Sequence, residues 1–133
     1  MAQLEAAATR IEEALKNGST RLDLSQMGLN ALPPNFTQIA PKLTVLNLWE
    51  NKFQSVPREM SLCANLENLY FSQNELITGF GLASFRKLTL LDLQSNRFSE
   101  FPPELLELPL LQTLHLSDNK IARLPAGIRL LKE

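Results

Sequence analysis

Residues Leu88–Pro102 read LTLLDLQSNRFSEFP, and the same frame returns four more times along the chain. The other copies are STRLDLSQMGLNALP (19–33), LTVLNLWENKFQSVP (43–57), LENLYFSQNELITGF (66–80) and LQTLHLSDNKIARLP (111–125). With Leu22, Leu46, Leu69, Leu91 and Leu114 aligned, successive units lie 24, 23, 22 and 23 residues apart. A period of this length, held in register, marks a solenoid in which each unit covers a face its neighbour cannot cover alone. The shared frame is L-x-x-L-x-L-x-x-N-x-h-x-x-h-P, h being apolar.

The frame assigns each residue a side. Alternation in L-x-L turns Leu46 and Leu48 to one face of a short strand and Asn47 to the other. The interior set is therefore Leu22, Leu24, Leu46, Leu48, Leu69, Phe71, Leu91, Leu93, Leu114 and Leu116. Leu29, Phe53, Leu76, Phe98 and Ile121 join it after the asparagine position. The returning limb adds Phe36, Ile39, Met60, Cys63, Leu82, Phe85, Leu105, Leu108, Ile128 and Leu131. At the asparagine itself the chain turns inward, and an amide side chain supplies both a donor and an acceptor to the bend.

These five units resemble the leucine-rich repeat family over residues 19–133, and their proline places them nearest its intracellular class, typified by Ras-binding scaffold repeats. The resemblance implies an α/β solenoid with a curved parallel β-sheet on the concave face and short helical or 3-10 limbs on the convex side. It also implies that Asn51, Asn74, Asn96 and Asn119 form a structural ladder from coil to coil. Met27 stands at that position in the first unit, so the ladder is expected to start one coil late. Pro33, Pro57, Pro102 and Pro125 are expected at the first helical position of the convex limbs, where the missing N–H costs no bond. In the third unit Gly79-Phe80 replaces the apolar–proline pair, and Thr78–Gly81 is expected to be a looser or reshaped loop.

The organisation read from this is one domain: an N-terminal capping helix over 1–18, then five repeats over 19–133. Leu4, Ala8, Ile11 and Leu15 make one apolar stripe on that helix, and Gly18 is its expected C-terminal cap. Two bases against three acids argue against a membrane-surface role for it. At the other end Ile128 and Leu131 leave an uncapped edge. A shortened chain, a naturally short array or self-association through that edge would each account for it.

Composition excludes much chemistry. The 133 residues include 28 leucines but one each of Trp, Tyr, His and Cys, with a net charge of −1. One cysteine and one histidine cannot make a disulfide framework or an ordinary zinc site, so no metal and no cofactor are expected. The near-neutral charge disfavours nucleic acid, and no apolar run approaches the roughly 18 residues of a membrane span. Residues 1–17 carry too many charges for a signal peptide, so a cytoplasmic location is expected. No nucleophile motif is present, and no catalytic residue is assigned. Asp92 lies one coil before His115, so a carboxylate–imidazole pair is geometrically open.

What remains is the concave face. Its outward columns are Arg21, Val45, Asn68, Leu90, Thr113; then Asp23, Asn47, Tyr70, Asp92, His115; then Ser25, Trp49, Ser72, Gln94, Ser117; then Gln26, Glu50, Gln73, Ser95, Asp118. They hold one base and four acids, a balance of −3, while Lys52, Arg97 and Lys120 form a basic line along one rim. The only Trp and only Tyr fall here on adjacent coils, and these are residue types enriched at binding hot spots. The alternative is that the two rings simply cover each other. Asn47, Trp49, Glu50, Asn68, Tyr70, Asp92, Gln94, His115 and Ser117 are the candidate partner-binding residues. The expected function is a non-enzymatic protein-interaction module that takes a protein or peptide, with a basic patch favoured by charge. The alternative is the targeting domain of a larger signalling enzyme such as a ubiquitin ligase, GTPase or kinase, continued beyond Glu133. Five strands about 4.8 Å apart span about 20 Å, with about 10 Å of length each; even with side-chain relief that is a few hundred Å², below the roughly 800 Å² per partner of a standard interface, so binding through this face alone should be weak.

Overall fold

Each L-x-L triplet forms a three-residue strand in the computed structural model, which describes residues 2–123. The strands are β1 (Arg21–Asp23), β2 (Val45–Asn47), β3 (Asn68–Tyr70), β4 (Leu90–Asp92) and β5 (Thr113–His115). They pair in parallel in sequence order, with Leu22, Leu46, Leu69, Leu91 and Leu114 facing one another across the sheet. Strand leucines in β1–β4 and the second leucine or phenylalanine after them are buried, whereas Leu114, Leu116 and Ile121 of the last described coil are partly buried. Burying one such side chain stabilises by about 1.5–3 kcal/mol, so four closed layers outweigh what three-residue strands could gain alone.

The convex limbs are one turn of helix α2 (Phe36–Ile39) continued by a 3-10 turn at Ala40–Lys42, then 3-10 turns at Arg58–Leu62, Leu82–Ser84 and Pro103–Glu107. Phe36, Ile39, Met60, Cys63, Leu82, Phe85, Leu105 and Leu108 are all buried beneath them. Phe53 and Phe71 meet edge to face with centroids 5.6 Å apart, linking the second coil to the third. The proline expectation needs correction. Pro57 and Pro102 sit one residue ahead of the 3-10 turns, with extended ψ of 141° and 115°. There the carbonyl does the work, accepting from Met60 N at 3.0 Å and from Leu105 N at 3.1 Å, as Pro33 accepts from Phe36 N at 3.0 Å.

The third coil makes the same bond with Gly79, whose carbonyl accepts from Leu82 N at 2.9 Å. Gly79 therefore replaces the proline, and Phe80 does not. Five residues separate Asn74 from Gly79, against six between Asn51 and Pro57 and six between Asn96 and Pro102. The missing residue is the reason this period is 22. The loop is reshaped as expected, but it is tight rather than loose. A Cβ on Gly79 would stand 2.6 Å from Pro102 Cβ and 3.0 Å from Glu104 Oε1. The shortcut throws Ile77 and Phe80 outward, with Phe80 77% exposed.

Helix α1 spans Ala2–Lys16 and packs on β1 and α2. Its buried line is Ala7, Ile11 and Ala14, flanked by the partly buried Leu4, Ala8 and Leu15, so the stripe is centred one residue away from the Ala8 expected. Gly18 ends it with a φ angle of 63°, Gly18 N donating to Leu15 O at 3.3 Å and Ser19 N to Ala14 O at 2.9 Å. That pair of bonds is a Schellman cap, which favours glycine at the left-handed residue. Asn35 Nδ2 donates to Ala8 O and Arg10 Nη1 to Asp23 O, each at 3.0 Å, tying the helix to the first coil. The expectations for Pro125, Ile128 and Leu131 lie outside the described residues.

Candidate partner-binding site on the concave face

The asparagines hold the coils at the spacing the concave face requires. Asn51 Oδ1 accepts from Met27 N at 3.1 Å and Leu29 N at 2.9 Å, while its Nδ2 donates to Leu24 O at 2.9 Å and Leu48 O at 3.0 Å. Asn74, Asn96 and Asn119 accept in the same way from Phe53 N, Leu76 N and Phe98 N. Their amides donate to Leu48 O, Phe71 O and Leu93 O of the coil before. Each asparagine thus completes the preceding coil. Met27 can replace it in the first unit because that unit follows a helix, not another coil.

Just before each asparagine, or before Met27, the backbone turns left-handed at Gln26, Glu50, Gln73, Ser95 and Asp118, with φ angles of 55–58°. None is glycine, although this region disfavours side chains with a Cβ. The turn directs Gln26 N, Glu50 N, Gln73 N and Ser95 N at carbonyls of the following coil, 2.9–3.0 Å away. It also sets Glu50 out into solvent at the edge of the face.

On the face itself, register lines up Asp23, Asn47, Tyr70, Asp92 and His115. Three of the five close a local turn. Asp23 Oδ1 accepts from Ser25 N, Asn47 Oδ1 from Trp49 N and Asp92 Oδ1 from Gln94 N, at 2.9, 2.9 and 3.1 Å. Such side-chain turns suit Asp and Asn by their short, acceptor-bearing side chains. Asn47 and Asp92 therefore have a structural task that the sequence reading left out. Asp92 and His115 are neighbours across β4 and β5, but Asp92 is turned to Gln94, whose Nε2 also donates to it at 3.1 Å. No hydrogen bond joins Asp92 to His115 among the described residues, and the open geometric pairing is not made. Gln94 Oε1 accepts from Ser117 Oγ at 2.8 Å, and Asn68 Oδ1 receives Thr89 Oγ1 at 3.4 Å.

The Trp49 and Tyr70 rings do not cover each other, for the one ring contact among the described residues is Phe53–Phe71 in the core. Instead both border an open depression of about 300 Å³, shared with Asn47, Asp92 and Gln94. Ser72, Gln73 and Ser95 complete it, and these three stood outside the candidate set. Ser72 is buried to 7% exposure although its column points outward, a consequence of lying between Trp49 and Gln94. Glu50, Asn68, His115 and Ser117 lie on the same face outside this depression. No lining residue is a base. No group of three His, Cys, Asp or Glu side chains is placed for a metal among the described residues. Cys63 is free and fully buried on the convex side, where burial pushes its thiol up to about 12.

A larger groove of about 680 Å³ opens on the third coil's loop, between Val56, Leu62 and Phe80.

A sequence model of the leucine-rich repeat matches residues 87–108 and 110–131. Among solved structures, a leucine-rich-repeat protein of Leptospira interrogans is 28% identical with a TM-score of 0.75, over 86% of this chain and 29% of its own. Internalin C2 of Listeria monocytogenes is 27% identical with a TM-score of 0.72, over 86% of this chain and 49% of its own. A second internalin of that organism, 18% identical with a TM-score of 0.66, shares the fold. The chain thus spans less than two thirds of each of these relatives. No helix among the described residues is long and apolar enough to cross a membrane.

Proposed function

Because the chain belongs to the leucine-rich-repeat family, a family of protein-interaction modules, we propose that it takes a protein or peptide partner on its concave face and performs no catalysis. The observation that carries this reading is the depression of about 300 Å³ between Trp49 and Tyr70. Two scarce aromatic residues border it without packing on each other, and hot spots favour such residues in partly enclosed surroundings. The acidic balance of the columns favours a basic segment over nucleic acid. A cytoplasmic setting, as the resemblance to intracellular repeats implies, belongs to the same reading. Chemical cross-linking of the purified chain in lysate, with Trp49→Ala/Tyr70→Ala alongside, tests it. The double variant should lose the cross-linked protein while its melting temperature stays within a few degrees. Unchanged capture by the double variant refutes the concave site.

A further inference from the structure

We infer that the groove beside Phe80 is the contact through which two copies of this chain pair, each seating its Phe80 in the other's groove. This surface is separate from the concave face, since no residue lining the groove belongs to the outward columns of the strands. Three features make the patch complementary to itself, as a closed two-fold pair requires.

The first is shape. The shortened third loop sets Phe80 out as a knob, and it borders a recess of about 680 Å³ shared with Val56, Pro57 and Leu62. Gly81 keeps that recess open, because a Cβ there would stand over its floor, 3.6 Å from Val56 Cγ1. A knob and a hole on one patch are what two copies exchange across a two-fold axis. The second is hydropathy. Phe80 and Leu62 are two of the four large apolar side chains exposed among the described residues, and pairing covers both. No buried polar group lines the recess to orient a small molecule there. The third is charge. Arg58 and Glu59 line the same groove, one base and one acid, and neither has a hydrogen bond or ion pair among the described residues. Across the axis Arg58 of one copy meets Glu59 of the other, and the reverse contact forms with it. A net charge of −1 puts no general repulsion between the copies.

The eight residues lining the groove fall short of the roughly 20–30 a side of a standard interface. The pair should therefore be weak, with a Kd above about 1 µM. Sedimentation equilibrium of the whole chain, from about 5 µM to about 1 mM, covers that range. The average mass should rise from 15.0 kDa toward twice that value and no further. Phe80→Ser removes an exposed ring, so it should melt as the wild type does yet stay a single copy throughout. Arg58→Glu and Glu59→Arg should each weaken pairing about tenfold, because every pair then holds two like-charge contacts. An equimolar mixture of those two variants should pair at least as well as the wild type, each supplying the charge the other lacks.

A mass of 15.0 kDa at every concentration leaves the groove to some other occupant, and a pair indifferent to Phe80→Ser lies elsewhere on the chain. Growth past two copies refutes the closed exchange, and a mixture no tighter than its components refutes the Arg58–Glu59 contact. Each of these results overturns the inference, and none of them bears on the Trp49→Ala/Tyr70→Ala test of the concave face.

Discussion

Asn74 satisfies the backbone on both sides of a coil junction with one amide: Oδ1 accepts from Phe53 N at 3.1 Å, and Nδ2 is shared among Leu48 O, Phe71 O and Ser72 O. Truncation to alanine leaves buried donors and acceptors unmet, at about 1–3 kcal/mol per group, so Asn74→Ala should lose about 2–4 kcal/mol in urea denaturation. Asn119 is only partly buried, so Asn119→Ala should lose distinctly less. Equal losses would contradict this assignment. Gln73 has an exposed side chain on a left-handed backbone, so Gln73→Gly should be neutral or stabilising, while Gln73→Val should cost about 1–2 kcal/mol. Cys63 adds a pH dependence. Below pH 9 the thiol is protonated whether folded or not. Above it the unfolded chain loses its proton while the folded chain holds it up to about 12, so stability falls as pH rises through that window. Comparing denaturation of wild type and Cys63→Ala from pH 8 to 11 should show a steeper alkaline decline in the wild type. The asparagines were legible by residue type. The left-handed positions were not legible: only Asp118 is of a type that favours a positive φ angle, and Gln26, Glu50, Gln73 and Ser95 are not marked by type.

Two glycines at element boundaries act for different reasons. Gly18 caps α1 in the left-handed region with open space around it, so Gly18→Ala carries only the conformational penalty, about 1 kcal/mol. Gly79 has no positive φ angle, but its neighbours in the fourth coil leave no room for a Cβ. Gly79→Ala must displace Pro102 and should cost about 1–3 kcal/mol by overpacking. A thermal melt of each settles the pair, and a harmless Gly79→Ala would undo the account of the third loop. Strand placement and the convex core were readable from the frame because leucine spacing decides them. The helix stripe was misplaced by one residue because small alanines on both sides of Ile11 dilute the periodic signal. The role of Gly79 was hidden because the unit had been aligned without a gap, although one residue fewer after Asn74 announced it.

At the scale of the molecule, contacts run between neighbours: the strands pair in order, and α1 packs on β1 and α2. Stability in such an array is carried by successive interfaces. Amide hydrogen exchange should therefore be slowest in β2–β4, which are paired on both sides, and faster in α1 and β5; uniform protection would indicate all-or-none opening. The concave face was legible as a surface, since alternation fixes which residues point outward. Its division of labour was not. Whether an aspartate closes a turn or faces a ligand depends on rotamers, and Asp92 does the first with one oxygen while leaving the other open. The direction of the asparagine bonds has a last consequence, for how such a chain can be made and lengthened. Since each coil is completed by the asparagine of the next, a coil leaving the ribosome stays unfinished until the following 20-odd residues emerge. New units can be spliced in wherever they bring that asparagine to the coil ahead, and the first unit, with Met27, is the one position exempt from supplying it.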